Sequence, residues 1–315
     1  MEPWLDRGAA RRWFERAATA GDDPLAREVE RRMAARLDYI VHHPGRILDL
    51  GTGVGAGVPA LRRRYPAAQI IAADSALALI RRARGARPFA ERVRSLFGAA
   101  REHFVCADMS AVPLAAGACA MVWSNLALAW APDFGAALRE WHRVLEVGGL
   151  LMFTTYGPDT LKELRAAFAA AEAAPHVHPF ADMHDLGDAL VATGFADPVM
   201  DMETFTLTYA TVDTLFAELR SSGRRNALSA RRRTLTGRRA WVRMLEAYAA
   251  RRRDGRLPAT FEVVYGHAWK AAPKVTADGR AIIRFDAPPR SRKADGSRAI
   301  TRAPRLAGRG CGVLP

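Results

Sequence analysis

The chain has 315 residues, half of them apolar, with a formal net charge of +14 and three cysteines. That length and apolar share suffice for one large buried core, and they exclude a small disulfide-stapled scaffold or a low-complexity chain. The charge is uneven: residues 1–219 carry a balance of −4, and residues 220–256 hold thirteen arginines against Glu246 and Asp254, a balance of +11. A solvated arginine face, an acidic protein partner and nucleic acid each account for such a segment.

Residues 1–45 read as helical. Trp13, Phe14 and Ala17 mark a first helix, and a second spans about residues 25–41. The amino terminus is charged and has no continuous apolar run, so no signal peptide is expected. Cys106, Cys119 and Cys311 are odd in number and in no metal spacing, which predicts reduced thiols and a cytoplasmic setting. Cys106 and Cys119 stand in apolar runs and read as inert core.

From Arg46 the pattern becomes α/β. Ile47, Leu48 and Leu50 flank Asp49 in a short buried strand, and glycines follow at 51, 53, 55 and 57. Such a turn lets the backbone approach a ligand closely. A helix over 58–65 leads to a second strand, Ile70-Ile71-Ala72-Ala73, ending in Asp74. Glycine turn to acid is about twenty residues, the spacing at which a carboxylate meets the ribose of a nucleotide. A third strand-like run, His103 to Ala107, ends in Asp108 and Met109.

A dinucleotide fingerprint fits Gly51, Gly53 and Ala56, so a nicotinamide cofactor is one candidate. Asp49 opposes it, because a carboxylate just before the glycines repels a pyrophosphate and attracts an ammonium. Three acids at three successive strand ends suit S-adenosyl-L-methionine, which carries an ammonium, a ribose and an adenine amine. In that assignment Asp49 with Gly51, Gly53 and Gly55 orders the methionine end, Asp74 with Ser75 takes the ribose, and Asp108 with Met109 takes the adenine. The bland alternative makes Asp49 and Asp108 helix caps.

Residues 109–132 are uncharged, yet Pro113, Gly117, Ser124 and Asn125 interrupt them, so Val122-Trp123 reads as a buried parallel strand and not as part of a membrane span. A helix over 134–145 carries Leu138, Trp141 and Leu145. Val147-Gly148-Gly149 caps it before a strand over 150–155. Helices follow at 161–171, started by Thr160, and at 181–193, closed by Gly194. A strand over 204–209, a helix over 211–220 and a last strand over 261–269 complete the pattern. Trp241, Met244, Leu245 and Tyr248 form an apolar stripe. Beyond about Asp286 periodicity ends, which predicts a disordered basic tail over 287–315.

These residues resemble a known family, the malonyl-acyl-carrier-protein O-methyltransferases of biotin synthesis. The likeness covers about residues 11–286. It rests on Ile47-Leu48-Asp49-Leu50-Gly51-x-Gly53, Asp74-Ser75, Ala107-Asp108-Met109, Ser124-Asn125-Leu126-Ala127 with Trp130, and the run from Phe153 to Leu161. Leu219-Arg220-Ser221-Ser222-Gly223 with Asn226 looks like the family's substrate-side insertion, here about 205–256. The resemblance implies a Rossmann-like class I fold, a mostly parallel twisted sheet flanked by helices over residues 46–286. It also implies a SAM-dependent carboxyl O-methyltransferase, with acyl carrier protein bearing a malonyl thioester as partner and no metal or membrane. The chain departs from the family at Gly21, where a tyrosine usually stands.

Methylating a carboxylate needs no strong base, because the nucleophile is ionised at neutral pH. The expected catalytic residues are therefore positioning groups: Ser124 and Asn125 at the end of the fourth strand, and Arg220 for the acyl carboxylate. Arg224, Arg225 and Arg231 to Arg233 face the carrier protein in this reading. His176 and His178 are expected to be structural. The Gly21 departure supports a binding or assembly protein with little turnover as an alternative, and the arginine segment supports a methyltransferase acting on nucleic acid.

Overall fold

Four short strands of five or six residues and three longer ones make up the β structure. They are β1 (Arg46–Leu50), β2 (Gln69–Asp74), β3 (Glu102–Cys106), β4 (Cys119–Ser124), β5 (Leu145–Tyr156), β6 (Phe195–Tyr209) and β7 (Leu257–Lys270). The computed structural model describes residues 4–20, 23–87, 89, 93 and 101–273. Gly21, Cys311 and the tail over 287–315 lie outside them, as does the expected domain end at 286.

The strands make one sheet in the order β3-β2-β1-β4-β5-β7-β6. The first five are parallel, and β7 runs antiparallel between β5 and β6. Alternate residues of each strand enter opposite layers. Ile47, Met121, Trp123 and Met152 fill one layer, and Leu48, Val122, Leu151 and Phe153 fill the other. Burial on both faces explains why β4 is apolar throughout.

The helices are α1 (Arg7–Ala17), α2 (Pro24–Arg36), α3 (Val58–Arg64), α4 (Leu77–Gly85), α5 (Phe134–Val144), α6 (Lys162–Ala169), α7 (Met183–Thr193), α8 (Val212–Ser221) and α9 (Arg238–Ala249). Asp6, Asp23, Asp133, Asp182 and Thr211 cap five of them by accepting a backbone N–H. Arg36 ties α2 to the sheet: it bonds Asp201 and Glu203 of β6 and lies 3.7 Å over the Tyr265 ring of β7.

Several boundaries differ from the sequence pattern. β6 begins at Phe195 and not at 204, because it is an edge strand whose early residues, interrupted by Asp197, Pro198, Asp201 and Glu203, give no continuous apolar run. β5 starts at Leu145, since Leu145 pairs with Cys119 across a bulge and the expected glycine cap becomes part of the strand. Thr160 does not start α6: its hydroxyl donates to the Glu262 carbonyl, and Leu161, at φ 54°, precedes the helix. The arginine-rich excursion leaves the sheet after Tyr209 and returns at Leu257, so its expected start at 205 falls inside β6.

Candidate active site

β1 and β4 are the sheet's topological switch point: the chain leaves β1 toward one edge and β4 toward the other, and their carboxyl ends open a crevice. A cavity of ≈ 690 Å³ lies there, within the range of about 300–1,000 Å³ usual for small-molecule sites. Asp49, Gly51, Gly53, Asp74, Ser75, Asp108, Met109 and Asn125 all line it.

The glycine turn is built by sterics. Gly51 has φ 72°, and a Cβ on it would sit 2.1 Å from the Ala127 Cβ. Gly53 donates its N–H to the Asp74 carboxylate at 3.0 Å, and Ala76 donates to the other oxygen at 2.8 Å. Asp74 is thus fixed at the end of β2 by backbone N–H groups while its side chain lines the cavity. Asp108 is held by the Ser110 N–H at 2.8 Å and by an ion pair with Arg7 of α1.

Asp49 is fully enclosed and accepts from the Thr52 hydroxyl at 2.6 Å. Burial pushes its carboxyl up to about 8, and the neighbouring Glu30 carboxylate adds to the shift. Glu30, on α2, is itself raised to about 7 by burial, against a bond from the Trp123 indole at 3.3 Å. Gly57 leaves room for it, since a Cβ there would lie 1.8 Å from a Glu30 oxygen. A buried acid, Asp49, beside a half-buried one, Glu30, calls for a cation, which is what the ammonium of a methionine moiety supplies. The donor set therefore fits S-adenosyl-L-methionine, and it opposes a pyrophosphate.

Three expected site residues stand elsewhere. Ser124 is completely buried behind the cavity wall and donates to the Leu50 carbonyl at 3.0 Å, joining β4 to β1. Gly55 faces α4, 3.0 Å from the Ala83 Cβ for an added methyl, and does not line the cavity. Arg220 is exposed on α8 and does not reach it either. Asn125 lines the cavity with both amide ends engaged, donating to the Ala26 carbonyl at 2.9 Å and accepting from Thr154 at 2.7 Å. It docks α2 over the strand ends.

Residues the sequence pattern missed complete the wall: Glu30, Asp23, Tyr156 and Arg224. Glu30 follows Ala26 by four on α2, beside the buried stripe of Leu25, Val29 and Met33. A lone acid at the margin of an apolar stripe was its available signal. For Arg224 the signal was Gly223, which at φ 77° turns the chain back inward after α8. Cys106, expected in the core, is exposed at the cavity rim because β3 is an edge strand. Cys119 is buried and its thiol is pushed up to about 11, so it is inert. His178 accepts the Ala227 N–H on Nε2 and is driven down to about 4 by burial, and His176 stacks on Phe168. Neither histidine lines the cavity.

A sheet with this strand order, a glycine turn and acids at the ends of β1, β2 and β3 defines a class I, S-adenosylmethionine-dependent methyltransferase. Residues 48–153 match the family model described as a methyltransferase domain. The YcgJ protein of Bacillus subtilis shares the fold, with a TM-score of 0.52 at 14% identity over 77% of this chain and all of that one. The malonyl-[acyl-carrier protein] O-methyltransferase of Gallionella capsiferriformans is 50% identical over 89% of this chain and 96% of its own. That of Laribacter hongkongensis is 51% identical over 90% and 96%. The chain belongs to the malonyl-[acyl-carrier protein] O-methyltransferase family. Among the described residues no helix is long and apolar enough to cross a membrane, and no cluster of three or more metal-ligating side chains occurs.

Proposed function

We propose that the protein methylates the free carboxylate of a malonyl thioester carried on acyl carrier protein, an early step of biotin synthesis. The observation that carries this reading is the near-complete coverage, at about half identity, of relatives named for that activity. The Asp49–Glu30 acid pair in the cavity supports the cofactor assignment.

Asp49 and Glu30 would hold the cofactor's ammonium, Asp74 with Ser75 the ribose, and Asp108 with Met109 the adenine. Gly51 and Gly53 let the backbone come close. Bound S-adenosyl-L-methionine would supply an electrophilic methyl group to the carboxylate oxygen, with the electron pair of the broken bond left on sulfur. Opposite charges vanish in that step, so a dry enclosure favours it more than an added acid or base. Trp130, Leu126 and Ala127 provide apolar wall, and Phe14 and Ala17 of α1 cover it from outside. Asn125 acts by positioning α2.

The decisive experiment incubates the protein with malonyl carrier protein and methyl-labelled cofactor. The expected product is a labelled methyl ester on the carrier-bound acyl group. Cofactor binding without label transfer overturns the reading in favour of a binding or assembly protein. Transfer to a nucleic acid in place of the thioester overturns the substrate assignment.

A further inference from the structure

Among the described residues, few buried polar side-chain atoms lack a hydrogen-bond partner, and only two of them belong to side chains that line the cavity: the Tyr156 hydroxyl and Arg224 Nη1. Unpaired groups of this kind are rare in folded proteins and mark places where a partner is missing. The two side chains adjoin, with the Arg224 guanidinium carbon 5.8 Å over the Tyr156 ring and 5.9 Å over that of Phe261. Both are nearly enclosed: Tyr156 is 2% exposed and the Arg224 side chain 8%.

Nη2 of Arg224 is already occupied, by an ion pair with Asp23 at the start of α2. That contact fixes the fork and leaves the other nitrogen over. Burial keeps the tyrosine hydroxyl protonated, raising it beyond its usual range, so it is a donor. A charge-fixed guanidinium N–H and a phenol O–H on one wall match the two lone pairs of a carboxylate oxygen. The surrounding field is mixed: Asp23 and Glu218 act on Arg224, while Arg16 and Arg220 act on the adjacent Arg225.

We infer that Arg224 and Tyr156 seat the substrate's free carboxylate, holding one oxygen while the other faces the cofactor's methyl group. This rests on the carboxyl-methylation reading above. It replaces Arg220 in the role expected for it. The chain brings Arg224 inward because Gly223, packed against the Phe14 ring at 2.6 Å for an added Cβ, is the left-handed residue that closes α8. Methylation removes the carboxylate's charge, so the ester loses its pairing with Arg224 and the seat favours release of product over retention.

The test separates carboxylate recognition from mere folding. The wild type is first assayed with malonyl carrier protein, and failure there counts against the activity and not against the seat. Cofactor affinity is measured for Arg224→Gln, Arg224→Lys, Tyr156→Phe and Asp23→Asn as a check on the fold. Binding of malonyl carrier protein is then compared with binding of its neutral methyl-ester form. The wild type is expected to prefer the carboxylate. Arg224→Gln is expected to lose that preference and about a hundredfold in kcat/KM, with binding of the neutral form unchanged, while Arg224→Lys restores part of it. Tyr156→Phe is expected to lose about tenfold. Asp23→Asn breaks the ion pair but keeps the guanidinium, and it is expected to keep the preference. Equal weakening of both forms in Arg224→Gln, or an unchanged preference, overturns the proposal.

Discussion

At the scale of single residues the site is an electrostatic problem set by burial. Asp49 and Glu30 line the same cavity and are raised to about 8 and about 7. A carboxyl raised in the folded state binds protons that the unfolded chain has released, so stability falls as pH rises between the two values. His178, lowered to about 4, acts in the opposite sense below about 6.5, its ordinary value. The ligand-free protein should therefore lose thermal stability from about pH 4.5 to about 8, read by melting curves, with Glu30→Gln flattening the decline and His178 opposing it only below about 6.5. Cofactor binding should release protons near pH 7, measured as a dependence of binding heat on buffer ionisation enthalpy, and Glu30→Gln should reduce that release. A binding heat independent of buffer contradicts the shared acid pair. Gly51→Ala meets both a positive φ and the Ala127 methyl. It should destabilise by about 2–4 kcal/mol, as strain and overpacking together, and abolish cofactor binding in calorimetry.

At the scale of elements, the amino-terminal segment is strapped onto the arginine-rich excursion. Leu5 bridges Leu228, Asp6 donates its N–H to the Ala227 carbonyl at 2.8 Å, and Ser229 donates to the Trp4 carbonyl at 2.9 Å. Arg231 adds an ion pair to Asp6 at 2.8 Å, on the residue that also caps α1. Both partners are partly exposed, so a double-mutant cycle of Asp6→Asn and Arg231→Gln should give a coupling of about 0.5–1 kcal/mol by denaturant unfolding. A coupling near zero assigns the strap to its backbone bonds alone. Because α1 and α2 line one side of the cavity while the ends of β1, β2 and β3 line the other, weakening the strap should raise the cofactor dissociation constant, measured by calorimetry.

At the scale of the molecule, the basic excursion is less free than its composition suggests. Arg224, Arg231 and Arg232 pair with Asp23, Asp6 and Glu172. Arg243, Arg252 and Arg256 donate to main-chain carbonyls of Ala171, Ala210 and Thr208. One basic patch stands near the cavity, where Arg225 lies 4.0 Å over the Trp13 ring and Arg16 lies 5.0 Å from the same ring. An acidic carrier protein should meet this patch. Raising ionic strength from about 0.05 to 0.5 M should then raise KM for the carrier-bound substrate severalfold with little change in kcat, and Arg225→Glu should reproduce the effect at low salt. A KM insensitive to salt argues against electrostatic docking.

The sequence by itself determined the α/β alternation, the glycine turn and the acids at the ends of β1, β2 and β3, because strand periodicity, turn sterics and the charge of a ligand act over short stretches. Asp49, Asp74 and Asp108 were legible for that reason. Ser124, Gly55 and Arg220 do not line the cavity, because which face a residue presents depends on its neighbours in space: Ser124 turns into the sheet toward Leu50, Gly55 toward Ala83, and Arg220 toward solvent. Glu30, Tyr156 and Arg224 stand far apart in sequence and become one wall only when α2, β5 and the turn after α8 converge over the switch point. Tertiary structure alone decided that convergence, since it arises from packing layers on both faces of a sheet and not from any local preference of the chain.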